Sequence, residues 1–159
     1  MSAGQCAVAG RSALSHLAVR LGGHAGPPLL PVLAEAAVAG LLSGGARVDF
    51  GGIVPTPTVA FATRTRDAGL TVTASHNPEE YNGLKFLNPD GSSFTPPQQE
   101  ELEGRVGNAP RKGWECQGDL AEADLVAGHR EAILARREVT RGLGVVLDCG
   151  NGAGSVVTP

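Results

Sequence analysis

The chain alternates short β-branched runs with helix patterns, and this order limits the possible folds more than any other feature of the sequence. Helix patterns cover residues 31–43 and 58–67, and strand patterns cover 46–50, 70–73 and 84–87. Helices that alternate with short apolar strands usually pack on the faces of one sheet. We therefore predict an α/β fold, a three-layer α/β/α domain with a mixed sheet.

Two capping boxes predict helix starts in the second half of the chain. Thr95-Pro96-Pro97-Gln98 combines an N-cap threonine, a proline at the first helical position and a glutamine at the third. It predicts a helix to about Arg105. Asp119-Leu120-Ala121-Glu122 predicts a second helix, to about Arg137. Asn88-Pro89-Asp90-Gly91, between the strand pattern 84–87 and Thr95, is typical of a turn.

The last part of the chain has the pattern of a second domain. Residues 144–147 predict a buried strand that leads into the glycine-rich run 148–154. We predict a domain boundary near Gly118, with the first domain over 1–117 and the beginning of a second, similar domain over 118–159. Residues 1–28 carry scattered glycine, serine and histidine, and we predict no element there.

Composition disfavours two classes of partner. A formal net charge of −3 without a basic run makes nucleic-acid binding unlikely to be the function. The longest apolar stretch, 32–42, is interrupted by Glu35 and is shorter than the roughly 20 residues that span a bilayer. The N-terminus does not resemble a signal peptide, so we expect no membrane partner and a cytoplasmic location. The sequence does not indicate an oligomeric state.

Cysteine usage predicts neither a disulfide framework nor a zinc site. Cys6, Cys116 and Cys149 are odd in number, far apart and in no C-x-x-C arrangement. We therefore expect reduced thiols.

One loop combines several groups that could carry chemistry. Thr73-Ala74-Ser75-His76-Asn77-Pro78 follows a predicted strand, where α/β proteins commonly place active loops. Ser75 is a small nucleophile, and His76 could donate to a phosphate. A hairpin-like return could bring the ammonium of Lys85, in the next strand, to the same loop. Taken singly, the run Ser-His-Asn-Pro also fits a plain turn, and Lys85 fits a solvated surface cation.

Together these residues resemble the phosphoserine loop of the α-D-phosphohexomutases, the family of phosphoglucomutase, phosphomannomutase and phosphoglucosamine mutase. Thr-Ala-Ser-His-Asn-Pro is matched without a gap, and Tyr-Asn-Gly-Leu-Lys-Phe and Asn-Pro-Asp-Gly follow it. Three further segments are similar in the same order: the alanine-rich helix 33–42, Gly-Ile-Val-Pro-Thr-Pro at 52–57 and Val-Leu-Asp-Cys-Gly-Asn-Gly-Ala-Gly at 146–154. The resemblance covers about residues 29–159.

The resemblance implies an intramolecular phosphotransferase that interconverts hexose 1-phosphate and hexose 6-phosphate. Ser75 would carry the phosphoryl group, Lys85 would act as a general acid/base, and His76 as a phosphate or proton-transfer partner. A hexose 1,6-bisphosphate would be both the intermediate and the activator. The substrate would be a phosphate of glucose, mannose or glucosamine, and the sequence does not say which.

The family also implies Mg²⁺, held by the serine phosphate and a cluster of aspartates. Oxygen ligands of this kind suit Mg²⁺. Ser75 would supply one ligand through its phosphate, but the chain contains no Asp-x-Asp-x-Asp cluster. The resemblance places the remaining ligands beyond Pro159.

The N-terminal part departs from the family pattern. Family members carry a Gly-Ile-Arg-Gly-like segment and a Gly-Arg-Asp-x-Arg segment, and neither can be read in residues 1–28. Gly10-Arg11-Ser12 and Arg20-Leu21-Gly22 are weak candidates. An active-site arginine and the first strand of the sheet are therefore in doubt.

Two alternative functions are open at this point. The chain could be a non-catalytic fragment of such an enzyme, since the metal cluster and the sugar loops are not in it. It could also be a nucleotide-binding module that uses the run 150–154, although this run is not G-x-G-x-x-G because the third glycine comes one place early.

Overall fold

A mixed five-stranded sheet forms the centre of the fold. The computed structural model of the chain describes residues 16–21, 29–73, 81–109, 111–136, 142, 144–150 and 152–158. The strands are β1 (His16–Leu21), β2 (Arg47–Ile53), β3 (Ala68–Thr73), β4 (Gly83–Leu87) and β5 (Leu120–Glu122), in the spatial order β4-β3-β1-β2-β5. β4 is antiparallel to β3, and the other neighbouring strands are parallel. The predicted α/β class and the mixed sheet are confirmed.

Five α-helices are present in the described part of the chain. They are α1 (Leu29–Ser43), α2 (Thr56–Thr63), α3 (Pro96–Gly104), α4 (Val126–Leu134) and the single turn α5 (Gly154–Val157). A short 3₁₀ helix covers Trp114–Cys116. None of the described helices is both long and apolar enough to cross a membrane.

The two crossover helices cover opposite faces of the sheet. α1 joins β1 to β2, and its Val38 packs with Val48 and Leu70 on one face. α2 joins β2 to β3, and its Val59 packs with Leu87 on the other face. Because side chains alternate along a strand, even-numbered residues of β3 face α1 and odd-numbered ones face α2. The three layers predicted from the sequence are therefore present.

The turn and the helix predicted around Thr95 are confirmed. The N–H of Gly91 donates to the carbonyl of Asn88 at 2.8 Å, which closes the predicted turn. In the capping box, the Thr95 N–H donates to the side chain of Gln98 at 2.8 Å. α3 ends one residue before the predicted Arg105.

The helix predicted from Asp119 is wrong, because residues 120–122 form a strand. The carbonyl of Asp119 accepts from Val48 N–H at 2.8 Å, and Ala123 N–H donates to Phe50 at 3.0 Å, so this backbone is paired with β2. The helix begins later, at α4, where the Asp124 carboxylate accepts from two backbone N–H groups of the first turn. β5 thus joins the same sheet as the preceding strands. The position of the domain boundary near Gly118 stays a prediction.

The buried strand predicted over 144–147 is also wrong. These residues are not in a strand, and Val145, Val146 and Leu147 are strongly exposed. A buried strand needs a neighbouring strand and cover on both faces, and none of the described strands pairs with this segment.

Two further features were not predicted. β1 lies at the centre of the sheet, within the part of the sequence where we predicted no element. Its central position depends on parallel pairing with β2 and β3, which no local pattern shows.

Cys116 is disulfide-bonded, so the expectation of reduced thiols is wrong for this residue, whereas Cys149 is a free thiol. Disulfide pairing cannot be read from sequence spacing alone.

Candidate active site

The strand order creates a switch point between β1 and β2. The chain that leaves the carboxyl end of β1 crosses one face through α1, and the chain that leaves the carboxyl end of β2 crosses the other face through α2. Ligands of α/β proteins commonly bind at such a point, outside the carboxyl ends of the strands. β3 ends at Thr73, and Ser75 follows two residues later in the chain. The predicted nucleophile thus follows β3, the parallel neighbour of β1, at the same carboxyl edge of the sheet.

Two of the three predicted site residues are not covered by the structure. Ser75 and His76 lie in 74–80, outside the described residues. The described chain ends at Thr73 on one side of this loop and begins again at Tyr81 on the other. Thr73 and Gly83 are paired across β3 and β4, so the ends of the loop are held next to each other.

Lys85 lies on the strand that returns from this loop. β4 runs antiparallel to β3 and pairs Lys85 with Thr71, two residues before β3 ends. The predicted hairpin-like return is therefore confirmed. The Lys85 side chain is exposed, and no ion pair to it is found within the described residues. A cation beside the start of the serine loop is well placed to neutralise phosphate charge.

Thr71 is a buried neighbour of Lys85 that the sequence reasoning missed. Thr71 is 0% exposed, and its hydroxyl has no hydrogen-bond partner among the described residues. In the register of the sheet it lies between Arg20 of β1 and Lys85 of β4. In the sequence, a threonine within an apolar strand pattern indicates only a preference for β-structure. Its buried position beside Lys85 is seen only in the fold.

His129 fixes α4 to the start of α2, near the same edge of the sheet. Its Nδ1 is 3.1 Å from the hydroxyl of Thr58, which is 2% exposed, and its ring stacks on Phe61 with centroids 5.1 Å apart. α2 follows the carboxyl end of β2. The contact therefore braces the helix that leads into β3. No signal in the sequence connects residues so far apart.

The glycine run 150–154 lacks the setting of a nucleotide site. Gly150 N–H donates to the Asp148 carboxylate at 2.9 Å, and α5 has only four residues. A dinucleotide loop must follow a strand, but residues 144–149 are not in a strand. The geometry argues against the nucleotide-binding alternative.

The described residues do not form a metal site by themselves. No group of three or more His, Cys, Asp or Glu side chains that could hold an ion is found among them. Ser75, the one predicted ligand, lies outside the described residues. The described residues therefore do not provide a complete Mg²⁺ site.

A cavity of about 630 Å³ lies beside Lys85, between β4 and α3. Apolar side chains, among them Leu84, Phe86 and Leu102, dominate its lining. A sugar phosphate carries two negative charges and many hydroxyls, and such a lining offers few partners for them. We do not assign this cavity to the site of the serine loop.

The fold defines an α/β protein with a mixed sheet, in which β3 leads toward the predicted serine loop. Residues 29–112 match the family model described as phosphoglucomutase/phosphomannomutase, alpha/beta/alpha domain I. The match covers more than half of the chain. The chain belongs to the phosphoglucomutase/phosphomannomutase family, and the predicted kinship is confirmed.

Individual relatives agree with this assignment. The chain is 47% identical over 130 residues to a protein of Methanocella arvoryzae named "probable phosphoglucosamine mutase", covering 80% of this chain and 30% of that protein. It is 41% identical over 125 residues to the phosphoglucosamine mutase of Methanococcus aeolicus, covering 76% of this chain and 28% of the relative. The chain thus spans about 30% of the length of these relatives.

A solved structure shows the same architecture. A phosphoglucomutase/phosphomannomutase family protein from Burkholderia thailandensis superposes with a TM-score of 0.77 at 29% identity. The superposition covers 90% of this chain and 32% of that protein. The likeness therefore concerns about one third of the larger molecule.

Proposed function

We propose that the chain is the phosphoserine-bearing part of a phosphohexose mutase, with Ser75 as the residue that carries the phosphoryl group. The observation that supports this most is the pairing of Thr71 with Lys85, because it places a cation next to the strand that leads into Ser75. The proposal assigns His76 to a phosphate or proton-transfer role. Phosphoryl transfer depends mainly on positioning and on charge stabilisation, which such an arrangement can supply.

The proposed half-reaction starts from a hexose 1,6-bisphosphate. Ser75 Oγ attacks one phosphorus atom, a new Oγ–P bond forms, and the bond from that phosphorus to the sugar oxygen breaks. The proton lost by the Ser75 hydroxyl is balanced by one gained at the leaving sugar oxygen, and Lys85 is the general acid/base for this exchange. The products are phosphoserine and a hexose monophosphate. The reverse step, at the other sugar oxygen, completes the interconversion of the 1-phosphate and the 6-phosphate.

Glucosamine phosphate is the sugar phosphate that we propose as substrate. The support is that the two relatives described above, at 47% and 41% identity, are named as phosphoglucosamine mutases, the first as a probable one. The described residues include no contact that would distinguish this sugar from glucose or mannose. The 1,6-bisphosphates of glucosamine, glucose and mannose should therefore be compared as phosphate donors to Ser75.

A phosphorylation assay tests the proposal directly. The chain is incubated with glucosamine 1,6-bisphosphate in a magnesium buffer, and peptide mass spectrometry locates any phosphate gained. We expect a single phosphoryl group on Ser75, absent from Ser75→Ala and retained in Ser155→Ala, a matched control at an exposed serine of α5. Phosphate on several serines, or none on Ser75, would contradict the proposal for this chain.

The rival function is a non-catalytic fragment of such a mutase. It is favoured by one observation, that the chain spans about 30% of the length of the relatives. The two functions predict different results when the chain is given a hexose bisphosphate. A folded chain that never acquires phosphate on Ser75 from any of the three hexose bisphosphates would support the fragment.

A further inference from the structure

The buried hydroxyl of Thr71 and the exposed ammonium of Lys85 are complementary groups on neighbouring strands. Thr71 is 0% exposed, and in the part of the chain that the structure describes its Oγ1 has no hydrogen-bond partner. A buried hydroxyl without a partner is unfavourable, and such groups are rare in folded proteins. The Lys85 ammonium carries three donors and, within the described residues, forms no ion pair.

The register places both side chains on the same face of the sheet. Thr71 and Lys85 are directly paired across β3 and β4, as are Gly69 and Leu87 two residues along. Leu87 packs against Val59 of α2, and alternation along β4 puts Lys85 on this face as well. Directly opposed residues have Cβ atoms about 5 Å apart, within reach of the flexible lysine stem.

We propose that Thr71 is a positioning residue for Lys85: its hydroxyl accepts a hydrogen bond from the Lys85 ammonium and holds it at the start of the serine loop. The bond would give the buried hydroxyl a partner and would reduce the number of positions open to a long, exposed side chain. Its value for catalysis rests on the proposed function, in which Lys85 is the general acid/base. The contact itself requires neither phosphate nor sugar.

Competitive acetylation tests the contact in the chain as it exists. The sequence contains two lysines, Lys85 and Lys112, and Lys112 packs against Gly45 at the opposite edge of the sheet, so it serves as an internal reference. The chain is treated with a trace of acetic anhydride, and mass spectrometry gives the ratio of acetylation at Lys85 to that at Lys112. The lysine nitrogen attacks the anhydride only after it has lost a proton, and a hydrogen bond donated by the ammonium must break first, so a hydrogen-bonded lysine reacts more slowly.

We expect Thr71→Val to raise this ratio by about two- to tenfold, the factor of one net hydrogen bond, and Thr71→Ser to restore it. Thr63→Val is the matched control, since it removes the hydroxyl of another buried threonine, one that bonds to the Val59 carbonyl instead. If Thr71→Val does not fold, Thr71→Ala is measured in the same way. A ratio that is equal in the wild type and in the folded Thr71 variants overturns the proposal.

The outcome of the acetylation experiment is independent of the outcome of the phosphorylation assay. If Ser75 takes up phosphate but the acetylation ratio does not change, the proposed function stands and the role of Thr71 fails. If the ratio changes but Ser75 is never phosphorylated, Thr71 positions Lys85 in a chain that lacks the activity.

Discussion

Arg66 donates two hydrogen bonds to a single carboxylate oxygen of Asp49, from Nε at 2.9 Å and from Nη2 at 2.6 Å. The two side chains are only 14% and 10% exposed, and Arg66 Nη1 also donates to the carbonyl of Ala62. The ion pair therefore ties the turn that follows α2 to β2. It fixes the end of the second crossover, where the chain enters β3, the strand that leads to the serine loop.

Removal of this arginine should destabilise the fold strongly. We expect Arg66→Ala to lower the free energy of unfolding by about 3 kcal/mol, because the Asp49 carboxylate would stay largely buried without this partner. Urea denaturation measures the change. Arg105→Ala is the control, since it breaks an exposed pair with Glu101 and should cost about 0.5 kcal/mol or less. Equal effects of the two substitutions would contradict the importance of the pair to Asp49.

Gly91 should not tolerate a side chain. Its φ is +87°, and an added Cβ would lie 2.6 Å from the carbonyl oxygen of Ala60. We expect Gly91→Ala to reduce the free energy of unfolding by about 1–3 kcal/mol, from backbone strain and from this contact. Gly104→Ala, at the end of α3 where an added Cβ meets no atom, should be neutral or slightly stabilising. Thermal melting of the two variants provides the comparison.

Gly118 is required for β5 to approach β2. An added Cβ would lie 1.7 Å from the Ala46 carbonyl oxygen, a distance that the backbone can relieve only by moving apart. We expect Gly118→Ala to break the hydrogen bond from the Val48 N–H to the Asp119 carbonyl and to speed hydrogen exchange at the Val48 amide at least about tenfold. Gly113→Ala, at an open position, should leave that amide protected. An unchanged exchange rate in the Gly118 variant would show that β5 is not held as described.

Asp90 should give the turn after β4 a pH-dependent stability. Hydrogen bonds from Ser92, by its side chain and its backbone, lower the pKa of the Asp90 carboxyl below its ordinary value. A group whose pKa is lower in the folded state stabilises that state fully above the unfolded pKa, about 3.9, and loses this effect as pH falls through the folded pKa.

Asp90→Ala should therefore lower the melting temperature slightly at neutral pH, with the difference from the wild type shrinking toward about pH 2. Asp90→Asn keeps an acceptor oxygen without a titrating charge, and its difference from the wild type should also shrink in acid. A difference that is constant across this range would show that the carboxylate charge is not responsible.

Lys85 should be essential for phosphoryl transfer to Ser75. General acid/base residues contribute typically about 10²–10⁴-fold, so Lys85→Ala should slow the phosphorylation of Ser75 by at least about 100-fold. Lys112→Ala removes the other lysine and should leave the rate unchanged. The time course of phosphate incorporation from the bisphosphate measures both. Equal rates in the two variants would remove Lys85 from the mechanism.

The sequence predicted the elements whose signals are local. The capping box at Thr95 and the turn at Asn88–Gly91 depend on residues within four positions of each other, and both are confirmed. The capping box at Asp119 has the same local pattern but is overridden, because the carbonyl of Asp119 is used by Val48 N–H of β2. A local preference is worth about 1 kcal/mol, and tertiary pairing can outweigh it.

At the candidate site, too, the sequence predicted local motifs but not contacts between strands. The run Thr-Ala-Ser-His-Asn-Pro and the later Lys85 could be recognised from residue types and order alone. Only the register of β3 and β4 shows that Lys85 is opposed to Thr71, and only the packed structure shows that the Thr71 hydroxyl is buried with no partner among the described residues. A shift of β4 by one residue relative to β3 would move the Lys85 side chain to the other face of the sheet, away from Thr71.

By itself, therefore, the sequence determined the α/β class, the family kinship and the candidate residues Ser75, His76 and Lys85, because these depend on periodicity and on short motifs. Only the tertiary structure decided that residues 16–21 form the central strand, that 120–122 extend the sheet and that Val145 and Val146 lie at the surface. Strand pairing and burial are set by partners distant in the chain, and the choice among them depends on the free energy of the whole sheet rather than on any local segment.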